Sequence, residues 1–210
     1  MPKVIGGSLE SHRDATWERI VEALARLMYE RGYDAVTLAD VAEAAGLART
    51  AMYNYVPDKE TLLIEFAARE TDRYVVGLRE ALRDVDDPVT ELQVYIRQQL
   101  DYFAHNHLPP GPALRHLMSH EAYGKVLDHV QSLDDTLRSI LVAGRDDRYL
   151  AWDDLDATAG MVNACIGRGS TLGPEDDLAA TVAVTEQFVL RALGARHDRD
   201  GKPVRIPRRR

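Results

Sequence analysis

The stretch that decides the fold runs from Leu38 to Glu60: L-A-D-V-A-E-A-A-G-L-A-R-T-A-M-Y-N-Y-V-P-D-K-E. Val41 and Ala42 read as the inward residues of a very short helix, Leu38 to Ala45, and alanines at 42, 44 and 45 allow a second helix to cross it closely. Thr37, with Asp40 three residues on, has the pattern of a capping box that opens this helix. Gly46 supplies a left-handed turn that other residues adopt at a cost. A second helix is expected over 48–56, with Leu47 and Met52 turned back into the core. Pro57 ends it, because proline has no N–H to donate, and Asp58 can cap the helix that follows. A short helix, a glycine turn and a second helix together make a helix-turn-helix.

The outward face of the second helix would then carry Arg49, Thr50, Tyr53 and Asn54. These types suit a duplex. Arginine can bond a guanine edge or a phosphate, asparagine can pair with an adenine edge, and threonine and tyrosine hydroxyls reach phosphates. Lys59 opens the next helix, where a lysine and an exposed helix N-terminus could hold a phosphate together. Gly46 alone is what any small helical pair needs. Glycine, spacing and outward polar set together point to DNA.

Working outward, the rest of the 210 residues also reads as helix, because apolar residues recur at three and four and no strand-like alternation occurs. Trp17, Ile20, Val21, Leu24, Leu27 and Met28 share one side of a first helix, Ser11 to Arg31, that stops at Gly32. A long helix covers Lys59 to Arg83, and Asp87-Pro88 opens another. The Pro-rich stretch 107–112 is a break, and a short helix over 113–120 leads into a longer one ending near Leu141. The last two helices are expected over 153–167 and 174–193. The fold class is therefore all-α: an N-terminal three-helix domain (1–57) and a C-terminal helical domain of about six helices (58–195). A basic tail follows (196–210), with seven basic and two acidic residues for a net of +5. It reads as a solvated, poorly ordered terminus, the other reading being an arm that touches DNA phosphates.

Net charge is −8, with 26 basic and 34 acidic residues, so the whole molecule repels a polyanion and any DNA binding is local. Residues 1–63 carry seven basic and ten acidic residues, a net of −3. Binding must then rest on a few well-placed cations and weaken steeply with salt. Cys165, the single cysteine, rules out an internal disulfide and fits a reducing cytoplasm. Neither a signal-peptide core nor a membrane-length apolar run is present, so a soluble, cytoplasmic protein without a membrane partner is expected. The sequence lacks a glycine-rich phosphate loop, nucleophile elbow, paired-carboxylate arrangement and HExxH. The expectation is a non-enzyme without a cofactor.

From Arg19 to Leu63 the chain resembles the DNA-binding domain of the TetR family of transcriptional regulators. The resemblance is carried by G-Y-D-A-V-T at 32–37, A-G-L at 45–47 and M-Y-N-Y-V-P-D-K-E at 52–60. It implies a homodimer that binds palindromic operator DNA, usually as a repressor, and releases it when a small-molecule effector enters the C-terminal domain. It also implies that Thr37 caps the second helix and touches phosphate, that Tyr53 is the recognition-helix tyrosine and that Lys59 contacts phosphate. Arg49 and Asn54 fall where operator preference is set. Ala48 departs from the usual serine or threonine, which removes an N-cap of about 1 kcal/mol. Thr50 replaces a frequent glycine, and Val56 an aromatic residue.

For the C-terminal domain, Ala157, Gly160, Ala164 and Gly167 form a small-residue stripe on one helix, and Leu155, Ala159, Val162 and Ile166 would face the core. The last helix is apolar on two faces, one including Val184 and Phe188. A helix apolar on two sides is buried on two sides, which points to a dimer interface. Tyr74, Gln99, Tyr102, His116, His120, Tyr123 and Cys165 lie among apolar residues and are the candidates for an effector pocket of unknown occupant. His116 and His120 are four apart and could instead chelate a metal, with a third ligand from His105, His107 or His129. That would make a metal-responsive regulator on the same scaffold.

Overall fold

The computed structural model describes residues 7–105, 119–172 and 176–207. Among them are eight α-helices: α1 (Gly7–Arg31), α2 (Leu38–Ala44), α3 (Arg49–Met52), α4 (Lys59–Leu82), α5 (Pro88–His105), α6 (His120–Asp146), α7 (Leu155–Gly167) and α8 (Leu178–Ala192). A 3-10 turn, Arg168–Thr171, follows α7. After α8, strands β1 (Arg196–His197) and β2 (Pro203–Val204) pair antiparallel. The all-α reading holds apart from this hairpin. The expected break at 107–112 and most of the short helix after it lie outside the described residues.

The chain divides into two compact units. The first runs to Arg69 and takes in the start of α6 as far as Val126; the second takes α4 from Glu70, α5, and the chain from Leu127 onward. The division falls inside α4, not at 57/58 just ahead of that helix. Leu62, Leu63, Phe66 and Ala67 explain the shift, since all four are buried in the core of the first unit.

That core gathers Trp17, Ile20, Leu24, Leu27 and Met28 from α1, Val41 and Ala42 from α2, and Met52 from α3. Fully burying an aliphatic side chain contributes about 1.5–3 kcal/mol. Helices as short as α2 and α3, of 7 and 4 residues, are unstable alone and stand because this packing holds them. Gly46 has φ +69° and makes the turn between them, the left-handed conformation its position requires. Val56, where an aromatic residue was the expectation of the resemblance, is buried in the same core.

In the second unit α5 is central and packs against α7, α8 and the 3-10 turn. Leu92, Tyr95, Ile96 and Leu100 of α5 meet Leu137 and Leu141 of α6, Val162 and Ile166 of α7, and Val189 and Leu190 of α8. Asp87, Asp154 and Asp177 cap the starts of α5, α7 and α8 with their carboxylates. Arg97 of α5 pairs with the buried Glu186 of α8 at 2.9 Å.

The tail is the main correction to the expected organisation. Asp198 Oδ1 accepts the N–H groups of Asp200 and Lys202, each at 2.9 Å, which folds the turn between β1 and β2. Ile206 N–H then donates to the Arg148 carbonyl at 2.6 Å, and the Arg205 guanidinium lies 5.6 Å from the Tyr149 ring centre. Residues 196–207 are thus folded back onto the end of α6. Arg208, Arg209 and Arg210 lie outside the described residues.

Candidate nucleic-acid interface

α2 opens with the expected capping box. Thr37 N–H donates to Asp40 Oδ2 at 2.8 Å, the Thr37 Oγ1 accepts Asp40 N–H at 3.2 Å, and the hydroxyl donates its own proton to Asp40 Oδ2. The hydroxyl and then the amide of Thr37 hold the Asp40 carboxyl below the usual carboxylate range. Both donors of Thr37 are therefore engaged within the protein. A phosphate contact at Thr37 must displace Asp40.

α3 is shorter than the 48–56 expected. Ala48 makes no side-chain cap, the α-helix covers only Arg49–Met52, and the chain continues to Tyr55 in tighter turns. Asn54 N–H bonds to Ala51 O at 3.1 Å and Tyr55 N–H to Met52 O at 2.9 Å, the i to i−3 pattern of a 3-10 turn. The missing cap weakens one end, and Pro57 disfavours helical backbone just before it. Tyr53 and Asn54 are thus on the turn that ends the helix. The outward set survives this change: Arg49, Thr50, Tyr53 and Asn54 are all exposed, while Met52 between them is fully buried.

The phosphate seat expected at the start of α4 is partly filled. Asp58 Oδ1 accepts Thr61 N–H at 2.7 Å, so a carboxylate already occupies the helix N-terminus. The Thr61 amide and hydroxyl hold the Asp58 carboxyl below its ordinary range. Lys59 is half-buried, and its Nζ donates to the Tyr33 carbonyl at 2.9 Å while lying 4.1 Å from the centre of the Tyr33 ring. The Tyr33 hydroxyl is pushed up to about 12 by burial first, then by the negative charges of Glu60, Asp58 and Asp34. Tyr33 stood in the G-Y-D-A-V-T motif with no role of its own. Nothing in a sequence links it to a lysine 26 positions away.

The effector candidates separate. Tyr74 of α4 and Tyr102 of α5 come together in the second unit, their ring centres 4.7 Å apart, and Gln99 lies three residues before Tyr102 on α5. Tyr102 meets Phe103 edge-on at 5.9 Å. Gln99 Nε2 donates to the Tyr95 hydroxyl at 3.1 Å, and that hydroxyl donates to Leu133 O at 3.3 Å. The Tyr74 hydroxyl is buried without a hydrogen-bond partner among the described residues, and burial pushes the Tyr74 and Tyr102 phenols upward. Tyr123 packs instead on the core of the first unit. His120 is exposed at the first residue of α6. Cys165 lines another cleft, of ≈ 380 Å³, with Trp152, Met161 and Phe188. His116 lies outside the described residues, among which no three His, Cys, Asp or Glu side chains are grouped to hold a metal.

On α7 the two expected faces are resolved. Ala159, Val162 and Ile166 are buried, and Ala157, Gly160 and Ala164 are exposed, with Gly167 half-buried. Val184 and Phe188 of α8 are 67% and 61% exposed. Met161, which no sequence reading singled out, is 73% exposed on α7.

The family model described as "Bacterial regulatory proteins, tetR family" matches residues 20–66. The HTH-type transcriptional activator FasR of Mycolicibacterium smegmatis is 27% identical over 94 residues, 45% of this chain and 43% of that protein. The chain spans less than half the length of the curated relatives it matches. PfmR, a TetR family transcriptional regulator of Thermus thermophilus, superposes with a TM-score of 0.70 at 26% identity, over 82% of this chain and 97% of that one. FadR of Bacillus subtilis, solved in complex with stearoyl-CoA, gives 0.72 at 19% identity, over 83% and 97%, a likeness of fold. No helix among the described residues is long and apolar enough to cross a membrane. Residues 20–66 therefore match the tetR family of bacterial regulatory proteins, and the helical fold is shared with a TetR family transcriptional regulator along most of the chain's length.

Proposed function

We propose that the chain is a ligand-responsive repressor that binds a palindromic operator as a homodimer and leaves it when a small molecule occupies the second unit. The observation that carries this reading is the exposed set Arg49, Thr50, Tyr53 and Asn54 around a helix pair whose other side is sealed core. Arg49 and Asn54 read base edges, and Thr50, Tyr53 and Lys59 hold phosphates. One short recognition helix reads too few base pairs for specificity. A two-fold partner supplies a second, roughly 34–36 Å away in the next major groove. The exposed apolar face of α7 and α8 is the surface for that partner.

Repression is the simpler outcome, because it needs only occupancy of DNA, whereas activation also needs a surface for the polymerase. The cluster of Tyr74, Gln99 and Tyr102 is where an effector would bind, an apolar site with a few placed polar groups. Effector binding would act by population shift, favouring a dimer whose recognition helices no longer match adjacent grooves. Bacillus subtilis FadR was solved with stearoyl-CoA, so a long-chain acyl-CoA is the first probe to try. Gel shifts on the DNA flanking the chain's own gene test the reading. Tyr53→Ala and Lys59→Ala should abolish the retarded band while the dimer persists. Undiminished affinity in both variants overturns the assignment of this helix, and release by stearoyl-CoA identifies the effector class.

A further inference from the structure

We infer that Tyr33 is a positioning residue for DNA binding: its carbonyl and ring fix the Lys59 ammonium so that the remaining N–H groups meet a phosphate. The inference rests on the reading of Lys59 as a phosphate ligand.

Lysine is a point charge on a flexible stem, and ordering it costs rotamer entropy. Here that ordering precedes DNA. The Tyr33 carbonyl accepts both Val36 N–H at 3.1 Å and Lys59 Nζ at 2.9 Å, so the turn after α1 fixes the oxygen that fixes the lysine. The Tyr33 ring, 7% exposed and part of the first unit's core, presents its face to the ammonium 4.1 Å away. An ammonium has three N–H groups, and the carbonyl takes one.

The partners chosen matter as much as the distances. Glu60, Asp58 and Asp34 all lie near enough to act on the Tyr33 hydroxyl. Asp58 is committed to Thr61, and Glu60 accepts Ser119 N–H. The ammonium sits instead on a neutral carbonyl and a neutral ring. A carboxylate partner would cancel the lysine's charge before DNA arrived. A carbonyl and a ring face orient the cation and leave its net charge intact for a phosphate.

The test measures fluorescence anisotropy of a labelled mixed-sequence duplex of about 30 base pairs, long enough for two half-sites, across a salt series. Compared are the full chain, Tyr33→Phe, Tyr33→Leu, Lys59→Met and the double variant Tyr33→Leu/Lys59→Met. Tyr33→Phe keeps the ring and should bind within about twofold of the parent. Tyr33→Leu should weaken binding about three- to tenfold and lower the log–log salt slope by about 0.9 per protomer. In the Lys59→Met background the same change should do nothing further. Equal losses in both backgrounds mean that Tyr33 only supports the fold, and the inference falls. It falls too if Tyr33→Phe loses as much as Tyr33→Leu. A Lys59→Met variant that binds like the parent removes Lys59 from the interface and overturns the underlying reading itself. If Tyr33→Leu lacks the helical circular dichroism of the parent, fluorinated phenylalanines at position 33 keep the shape while draining the ring's negative face. Affinity should then drop with each added fluorine, and a flat series refutes the role.

Discussion

Asp34 stands exposed on the turn between α1 and α2, close enough to raise the pKa of the hydroxyl of Tyr33, the residue whose ring face Lys59 rests on. Unlike Asp40 and Asp58, it makes no helix cap among the described hydrogen bonds. On the proposed reading of this face as DNA-binding, its effect is repulsion of nearby phosphates, in a segment (1–63) that already carries a net charge of −3. Two unit charges a few ångströms apart in water interact by about 1 kcal/mol, and salt screens this beyond about 10 Å at 0.1 M. Asp34→Asn should then tighten duplex binding about two- to fivefold at low salt, with the gain shrinking as salt rises. Anisotropy titrations at two salt concentrations check both parts. A gain that persists unchanged at high salt would mean that a new contact, not relieved repulsion, was made.

At the scale of elements, α2 and the start of α4 depend on side-chain caps. Thr37→Ala removes an acceptor for Asp40 N–H and should cost about 1 kcal/mol, read as a lower urea midpoint. The partner carboxylates make the same helices acid-sensitive. Asp40 and Asp58 both have folded pKa values below the unfolded one, so their stabilisation is complete above the ordinary carboxylate range and lost as pH falls through the lower folded values. Urea midpoints for the first unit should be flat from neutral pH to about 5 and fall below about 4. In Asp40→Asn/Asp58→Asn that acid limb should flatten.

These caps also mark how far local sequence carries. Thr37 and Asp40 are three apart and Gly46 needs only its own backbone, so both features were legible, as was the missing cap at Ala48. The end of α3 was not, because Met52 and Val56 are fixed by burial against other helices and Pro57 acts from outside the helix. The Asp58 carboxylate at the α4 N-terminus was foreseen as a cap but not as a rival to phosphate. The tail misled by composition. Seven basic residues read as solvated and poorly ordered; the described ones, Arg196, Arg199, Lys202 and Arg205, are indeed exposed, but an Asp198 turn and one hydrogen bond from Ile206 to Arg148 fold residues 196–207 back. Pocket candidates chosen as polar residues among apolar ones scattered over three places, because that pattern says a residue borders a core and not which core.

For the whole molecule the question is what covers α7 and α8. Single exposed apolar residues are ordinary, but here Met161, Val184 and Phe188 are 73%, 67% and 61% exposed beside the small residues Ala157, Gly160 and Ala164. Small side chains allow close helix approach, and the large ones supply apolar area, which together suit a second copy of the same surface. In an isologous pair every substitution appears twice. Phe188→Glu or Met161→Glu would bury two carboxylates without partners, at a cost of several kcal/mol each, well above what most interfaces tolerate. Because both positions are solvent-facing in the protomer, far-UV circular dichroism should stay unchanged. Sedimentation should report a dimer for the parent and a monomer for each variant. Loss of the second half-site contact should then cut affinity for palindromic DNA about 10²- to 10⁴-fold, with the recognition residues intact. Val76→Glu is the control, since Val76 is 63% exposed on α4 and outside this face, and it should leave the dimer whole. A Phe188→Glu protein that still sediments as the parent's dimer places the interface elsewhere. A monomer that binds DNA as tightly as the parent would break the link between pairing and operator recognition.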